Sequence, residues 1–87
     1  MTSQADIIIY TSANCPYCVR ATDLLDSKGL QYTKISIDEN DQRRQEMMQK
    51  SGRRTVPQIF IKGQSIGGYD DLYALVKANK LEALLKS

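Results

Sequence analysis

Two rhythms of apolar and polar positions run along this chain. Ile7 to Tyr10 is apolar at every position and rich in β-branched residues. That pattern predicts a short strand buried on both faces. A small polar loop follows, Thr11-Ser12-Ala13-Asn14, and Cys15-Pro16 then opens a helix, because proline is favoured at the first helical position. Cys18, Ala21, Leu24 and Leu25 recur at helical spacing, so one face of that helix is apolar, and Gly29 marks its stop. Leu30 to Ile37, with Tyr32, Ile35 and Ile37, predicts a second strand. Asp38-Glu39-Asn40-Asp41 predicts an acidic turn and helix start, where negative charge suits the helix dipole. A polar helix is expected from about Asp41 to Ser51, with Met47 and Met48 on the core side and Gly52 ending it. Val56 to Ile61 predicts a third strand and Gln64 to Ile66 a fourth, joined through Gly63 as a hairpin. After Gly67-Gly68 a helix starts near Asp70 with the stripe Leu72, Leu75 and Val76. A last helical turn carries Leu81, Leu84 and Leu85.

The order β-α-β-α-β-β-α with a helical tail predicts an α/β domain. Its first two strands should pair in parallel and its final hairpin should add antiparallel strands. A central four-stranded mixed sheet with helices on both faces packs these elements. With 87 residues, the chain is expected to form one domain with one modest core.

Charge and cysteine content narrow the function. Twelve Lys and Arg against ten Asp and Glu leave a net charge of +2, too balanced for a dedicated nucleic-acid binder. No run approaches the ~18 apolar residues of a membrane helix. The start, MTSQAD, lacks a basic stretch followed by an apolar one, so no secretory signal is expected. The expected compartment is the reducing cytoplasm, where paired cysteines are more often catalytic than structural. The two cysteines come with no histidine. A Cys–His hydrolase therefore lacks its base, and a structural zinc site lacks two of its four ligands.

Cys15-Pro16-Tyr17-Cys18 lies where a strand gives way to a helix, which is the context of a redox motif. The attacking species in thiol chemistry is the thiolate. A helix N-terminus offers unpaired N–H groups and about half a positive charge. Cys15 at that cap is expected to have its pKa lowered toward about 3.5–7.5. Cys18, one turn further in and on the apolar stripe, is expected to be more buried and less acidic. Its sulfur can reach that of Cys15 within the turn.

Two further features admit more than one reading. Pro57 either simply starts a strand or, in a cis Thr55-Val56-Pro57 unit, leaves the Val56 backbone free to bond an extended ligand beside the cysteines. Gly67-Gly68 followed by a capping Asp70 or Asp71 is either an ordinary turn or a site for a zwitterion. In the latter, free N–H groups take a carboxylate and the Asp takes an ammonium.

These runs together resemble the glutaredoxins, specifically the small bacterial dithiol type. The motifs that carry the likeness are Cys15-Pro16-Tyr17-Cys18, Thr55-Val56-Pro57-Gln58-Ile59-Phe60-Ile61 and Ile66-Gly67-Gly68-Tyr69-Asp70-Asp71. The similarity extends through Ser27-Lys28-Gly29 and Ser51-Gly52-Arg53. The resemblance implies a thioredoxin fold, a cis Pro57 and a glutathione groove between the cysteine loop, the Val56 edge and the Gly-Gly turn. It assigns catalysis to Cys15 and Cys18. It implies that Thr55 and Val56 flank the tripeptide, with Val56 bonding its cysteinyl part. Gly68, Tyr69 and Asp70 would hold the γ-glutamyl end, Arg44 would meet the glycyl carboxylate, and Tyr17 and Pro57 would line the groove. Two departures stand out. Many members carry a Lys three residues before the first cysteine, where this chain has Ser12. Many carry a Cys after the glycine pair, where it has Tyr69.

The activity so implied is glutathione-dependent reduction of protein–glutathione mixed disulfides and protein disulfides, by a monomer that uses glutathione and no metal. Its partners would be glutathionylated or disulfide-containing proteins, including reductases that cycle through disulfides. Three rivals are a thioredoxin-like reductase fed by a flavoprotein, a glutathione-ligated [2Fe–2S] binding protein and a zinc-bridged dimer. The absence of any Trp weakens the first, because thioredoxins read Trp-Cys-Gly-Pro-Cys. By the same resemblance, Pro16 disfavours the second relative to a Gly there.

Overall fold

The computed structural model describes residues 7–38 and 40–86, and the side chain of Lys86 is not part of that description. The MTSQAD segment and Glu39 lie outside it. Its elements are β1 (Ile7–Thr11), α1 (Pro16–Ser27), β2 (Thr33–Ser36), α2 (Asp41–Ser51), β3 (Gln58–Ile61), β4 (Gln64–Gly67), α3 (Tyr69–Lys77) and α4 (Leu81–Lys86). The sheet runs β2-β1-β3-β4. β1 pairs parallel with β2 and antiparallel with β3, and β3 pairs antiparallel with β4. This is the mixed sheet of the thioredoxin fold.

The central strands alternate between two cores. Ile7, Ile9, Ile59 and Ile61 point to one face and pack with Ala21 and Leu25 of α1, Leu72 of α3 and Leu81 of α4. Tyr10 and Phe60 point to the other and pack with Ile37 and with Met47 of α2, while Ile8, Ile35, Met48 and Val56 flank them. The unbroken apolar run of β1 therefore reflects helices on both sides of it. Tyr10 and Phe60 meet edge to face with centroids 5.6 Å apart. The Tyr10 hydroxyl donates to the Glu46 carboxylate on α2. Burial, reinforced by that carboxylate, pushes the Tyr10 pKa up to about 12. A buried hydroxyl thus has its partner and ties α2 to the sheet.

The helix ends follow their sequence signals. α1 starts with Pro16 and ends before Gly29, whose φ of 69° is left-handed. The Leu30 amide there bonds back to the Leu25 carbonyl at 3.1 Å. Asn40 caps α2 by accepting from the Arg43 amide at 3.0 Å, and Gly52 closes it at φ 74°.

Three element starts differ from the sequence reading. β2 begins at Thr33 rather than Leu30, because Leu30 and Tyr32 turn to pack on the α1–α3 core. β3 begins at Gln58 rather than Val56, after a cis Val56–Pro57 bond. α3 begins at Tyr69 with Gly68 as its cap, so neither Asp70 nor Asp71 holds the cap position.

Met47 is the one α2 residue that is fully buried. Met47→Ala should therefore destabilise the fold by about 2–4 kcal/mol, within the range for large-to-small core changes. Urea unfolding followed by far-UV circular dichroism measures this, and a loss well under 1 kcal/mol would show that α2 is not held through this side chain.

Candidate functional site

The site forms where β1 hands the chain to α1. Cys15 is extended, with φ −133° and ψ 96°, and stands at the N-cap. Its carbonyl accepts from the Cys18 and Val19 amides at 3.1 and 3.2 Å. Its Sγ accepts a hydrogen bond from the Cys18 amide at 3.1 Å. The sulfur thus occupies the place that a serine or aspartate oxygen takes in an ordinary cap. No acidic residue lies in the first turn of α1 to oppose negative charge there. The Val56 carbonyl also lies 3.6 Å from this sulfur. Cys15 is half-buried, whereas Cys18 is 3% exposed. The two are joined as a disulfide with Cα atoms 5.2 Å apart.

Beside this pair lies an open groove of about 280 Å³. Of the residues expected around glutathione, Tyr17, Thr55, Val56, Pro57, Gly68, Tyr69 and Asp70 all line it. Arg44 does not. Its charge instead acts on Asp38, on the far side of the cysteine loop. Arg53, Gln58 and Asp71 also line the groove. The sequence offered weak signals for these three: Arg53 sits in a run of basic residues, Gln58 looks like an ordinary strand position, and Asp71 doubles Asp70.

Local contacts explain how the groove is held. The buried Gln58 amide donates to the Thr55 carbonyl at 2.9 Å and to its hydroxyl at 3.3 Å, fastening the turn before β3. The Asp71 carboxylate accepts from the Gly68 amide at 3.0 Å and pairs with Arg53 at 3.3 Å. Gly67 has a φ of 119°, and a Cβ there would collide with that same carboxylate, so glycine is required. The Tyr69, Asp70 and Asp71 amides lie in the first turn of α3, where no helical acceptor precedes them. The Asp70 carboxylate makes no ion pair among the described residues. Nor does the Val56 backbone bond any backbone group among them.

On the other side of the cysteines, Asp38 clasps the loop that leads into Cys15. Its carboxylate accepts from the Ser12 hydroxyl at 2.9 and 3.1 Å and from the Ala13 amide at 2.6 Å. The Ala13 amide first, then the Ser12 hydroxyl and the Arg44 charge, hold its pKa below the ordinary aspartate value. Ser12 is thus a donor to a neighbouring carboxylate and brings no cation to the site. Asp38, in the acidic turn before α2, thus serves this loop, while Asn40 caps the helix.

Comparison with known proteins gives a consistent result. A family model described as Glutaredoxin matches residues 7–66. Glutaredoxin 3 of Escherichia coli (strain K12) is 55% identical over 82 residues, covering 94% of this chain and 99% of that protein. The solution structure of glutaredoxin from Brucella melitensis matches with a TM-score of 0.84 at 49% identity, covering 98% of this chain and 92% of the other. The crystal structure of a buckwheat glutaredoxin–glutathione complex matches with a TM-score of 0.85 at 32% identity, covering 94% and 77%. No helix among the described residues is long and apolar enough to cross a membrane.

The Asp38 clasp makes a pH prediction. A carboxylate whose folded pKa is lowered holds its contacts above the unfolded value and loses them as pH falls through the folded one. Hydrogen exchange at the Ala13 amide should therefore be slow at neutral pH. Relative to its intrinsic rate, it should quicken below the ordinary aspartate pKa near 3.8. In Asp38→Ala, exchange should be fast at neutral pH and this acid transition should disappear. An unchanged profile in that variant would remove Asp38 from any part in holding the loop.

Proposed function

The chain belongs to the glutaredoxin family of thiol–disulfide oxidoreductases, and from that premise we propose that it reduces protein–glutathione mixed disulfides and protein disulfides at the expense of glutathione. The observation that carries this reading is the Cys15 sulfur at the head of α1, taking the Cys18 amide beside a groove that holds the Asp70 carboxylate, without an ion pair among the described residues, and the Val56 main chain. The likeness to a glutaredoxin crystallised with glutathione supports the choice of reductant.

In the proposed reaction the Cys15 thiolate attacks the glutathione sulfur of a mixed disulfide. The substrate cysteine leaves as a thiolate and takes up a proton from solvent. The resulting Cys15–glutathione disulfide is attacked by the thiolate of a second glutathione, which leaves as oxidised glutathione and restores the Cys15 thiolate. With a protein disulfide, Cys15 attacks one sulfur and Cys18 then displaces the substrate from Cys15. That step forms the Cys15–Cys18 disulfide, which two glutathiones reduce. Potentials of roughly −200 to −230 mV in this family are compatible with a cytosolic glutathione pool. The proposed setting is accordingly cytoplasmic and the working unit a monomer.

Glutathione fits the groove chemically. It carries two carboxylates and one ammonium. Asp70 is the acceptor for the ammonium, and the first-turn amides of α3 at Tyr69 and Asp70 take a carboxylate, with Gly68 letting the ligand approach the turn. The Val56 backbone bonds the cysteinyl part as an added strand would, with Thr55 and Pro57 beside it and Tyr17 across the groove. Arg53 is the cation on the groove wall. Arg44, assigned to the glycyl carboxylate by resemblance, lies outside the lining of this groove.

Two measurements test the reading. In a glutathione-coupled assay, Cys15→Ser should abolish turnover of both substrate types. Cys18→Ser should keep deglutathionylation and lose reduction of protein disulfides, so loss of both would refute the division of labour. Alkylation of reduced Cys15 by iodoacetamide against pH should give a pKa at least about one unit below the free-thiol value of about 8.5. Titration near 8.5 would remove the helix terminus as the source of reactivity.

A further inference from the structure

Glutathione accounts for Tyr17 and Tyr69 but not for the row of rings they begin. The Tyr17 and Tyr69 centroids are 6.2 Å apart with planes tilted by 35°. Tyr69 and Tyr73 are stacked at 5.9 Å and 23°. The Arg20 guanidinium lies 5.1 Å from the Tyr17 ring and the Lys77 ammonium 5.5 Å from the Tyr73 ring. Tyr69, Tyr73 and Lys77 recur every four residues along one stripe of α3, and Tyr17 and Arg20 lie one turn apart on α1. The result is one strip of three rings with a cation at each end. Tyr17 is 52% and Tyr73 44% exposed. Single exposed apolar residues are ordinary, but a contiguous aromatic row at the surface marks a contact.

We propose that this strip docks the polypeptide of the protein substrate and that it selects an extended, acidic segment flanking the reacting cysteine. The proposal rests on the glutaredoxin reading, since the segment is delivered by a disulfide at Cys15. Continuity is the first argument. Tyr17 and Tyr69 line the groove beside the cysteines, and the strip leads from there to Tyr73 and Lys77, outside the part assigned to glutathione. Spacing is the second. Side chains on one face of an extended strand recur about every 6.6 Å, close to the separations of the rings, so alternate side chains can settle over successive tyrosines. Charge is the third. Arg20 and Lys77 form no ion pair among the described residues, and a contact with a ring face leaves their N–H donors able to bind carboxylates. The acidic groups of the adjoining groove are otherwise engaged: Asp70 serves the glutathione ammonium in the reading above, and Asp71 is paired with Arg53.

The test uses the full chain and three glutathionylated peptides of equal length, with acidic, neutral or basic residues around the cysteine. The mixed disulfide of glutathione with 2-mercaptoethanol serves as the small control. Wild type should turn over the acidic peptide with a kcat/KM about tenfold above the basic one, a gap that narrows with salt. Lys77→Glu should erase or invert that order. Tyr73→Ala should lower kcat/KM for the acidic peptide about fivefold through KM, as loss of an aromatic contact does. Both variants should turn over the small control as wild type does. Equal rates for the three peptides, or variants that match wild type on all of them, would overturn the docking strip. A wild type that fails on the small control would instead overturn the glutaredoxin reading. The strip can then still be read directly, by titrating the unmodified acidic peptide and following the tyrosine ring signals by NMR. Shifts at Tyr73 support the strip, and their absence sinks it.

Discussion

One contact organises this molecule: the main-chain amide of Cys18 pointing at the sulfur of Cys15. It exists only while Cys15 holds the cap position of α1, and several independent parts of the fold keep it there. Cys18, Ala21 and Leu25 bury one stripe of the helix, which fixes the rotation of its first turn. Pro16 supplies the helical φ at the first position and has no N–H to compete for the sulfur. β1 anchors the other side of the loop at the centre of the sheet. A helix-terminal amide favours a negative sulfur, and the Val56 carbonyl lies 3.6 Å from the same atom. Two backbone groups from distant parts of the chain thus border this sulfur.

The two faces of the sheet divide the work. α1 and α3 share one core, and their ends meet at the groove and at the tyrosine row. α2 packs on the opposite face through Met47, and the charge of its Arg44 acts on Asp38, which holds the cysteine loop. Where many relatives place a lysine, this chain has Ser12 bound to Asp38. Geometry at the loop is kept by hydrogen bonds, and the favourable field at the sulfur falls to the helix terminus.

The groove is also an assembly of separate pieces. Thr55 and Val56 come from the turn before β3, Gly68 to Asp71 from the turn into α3, and Tyr17 from the first turn of α1. Gln58 and Asp71 hold two of these turns by side-chain to backbone bonds. Such bonds stiffen a binding edge without occupying it, so among the described residues no backbone group bonds the Val56 main chain and no ion pair takes the Asp70 carboxylate.

The sequence alone determined the element order, the apolar stripes and the redox pair. Each depends on residues close together in the chain: the spacing of Cys18, Ala21 and Leu25, the continuous run Ile7 to Tyr10, and Cys15-Pro16 at a strand–helix junction. The tertiary structure decided what lies far apart in sequence. It bound Asp38 to the Ser12 loop, moved the cap of α3 to Gly68 and started β3 after Pro57. It also set Arg53 rather than Arg44 on the groove wall and aligned Tyr17 with Tyr69 and Tyr73. The physical reason is that local propensity acts through the backbone of a few neighbours. The partner of a polar side chain is chosen instead by which segments the packed core brings together, and no local pattern encodes that choice.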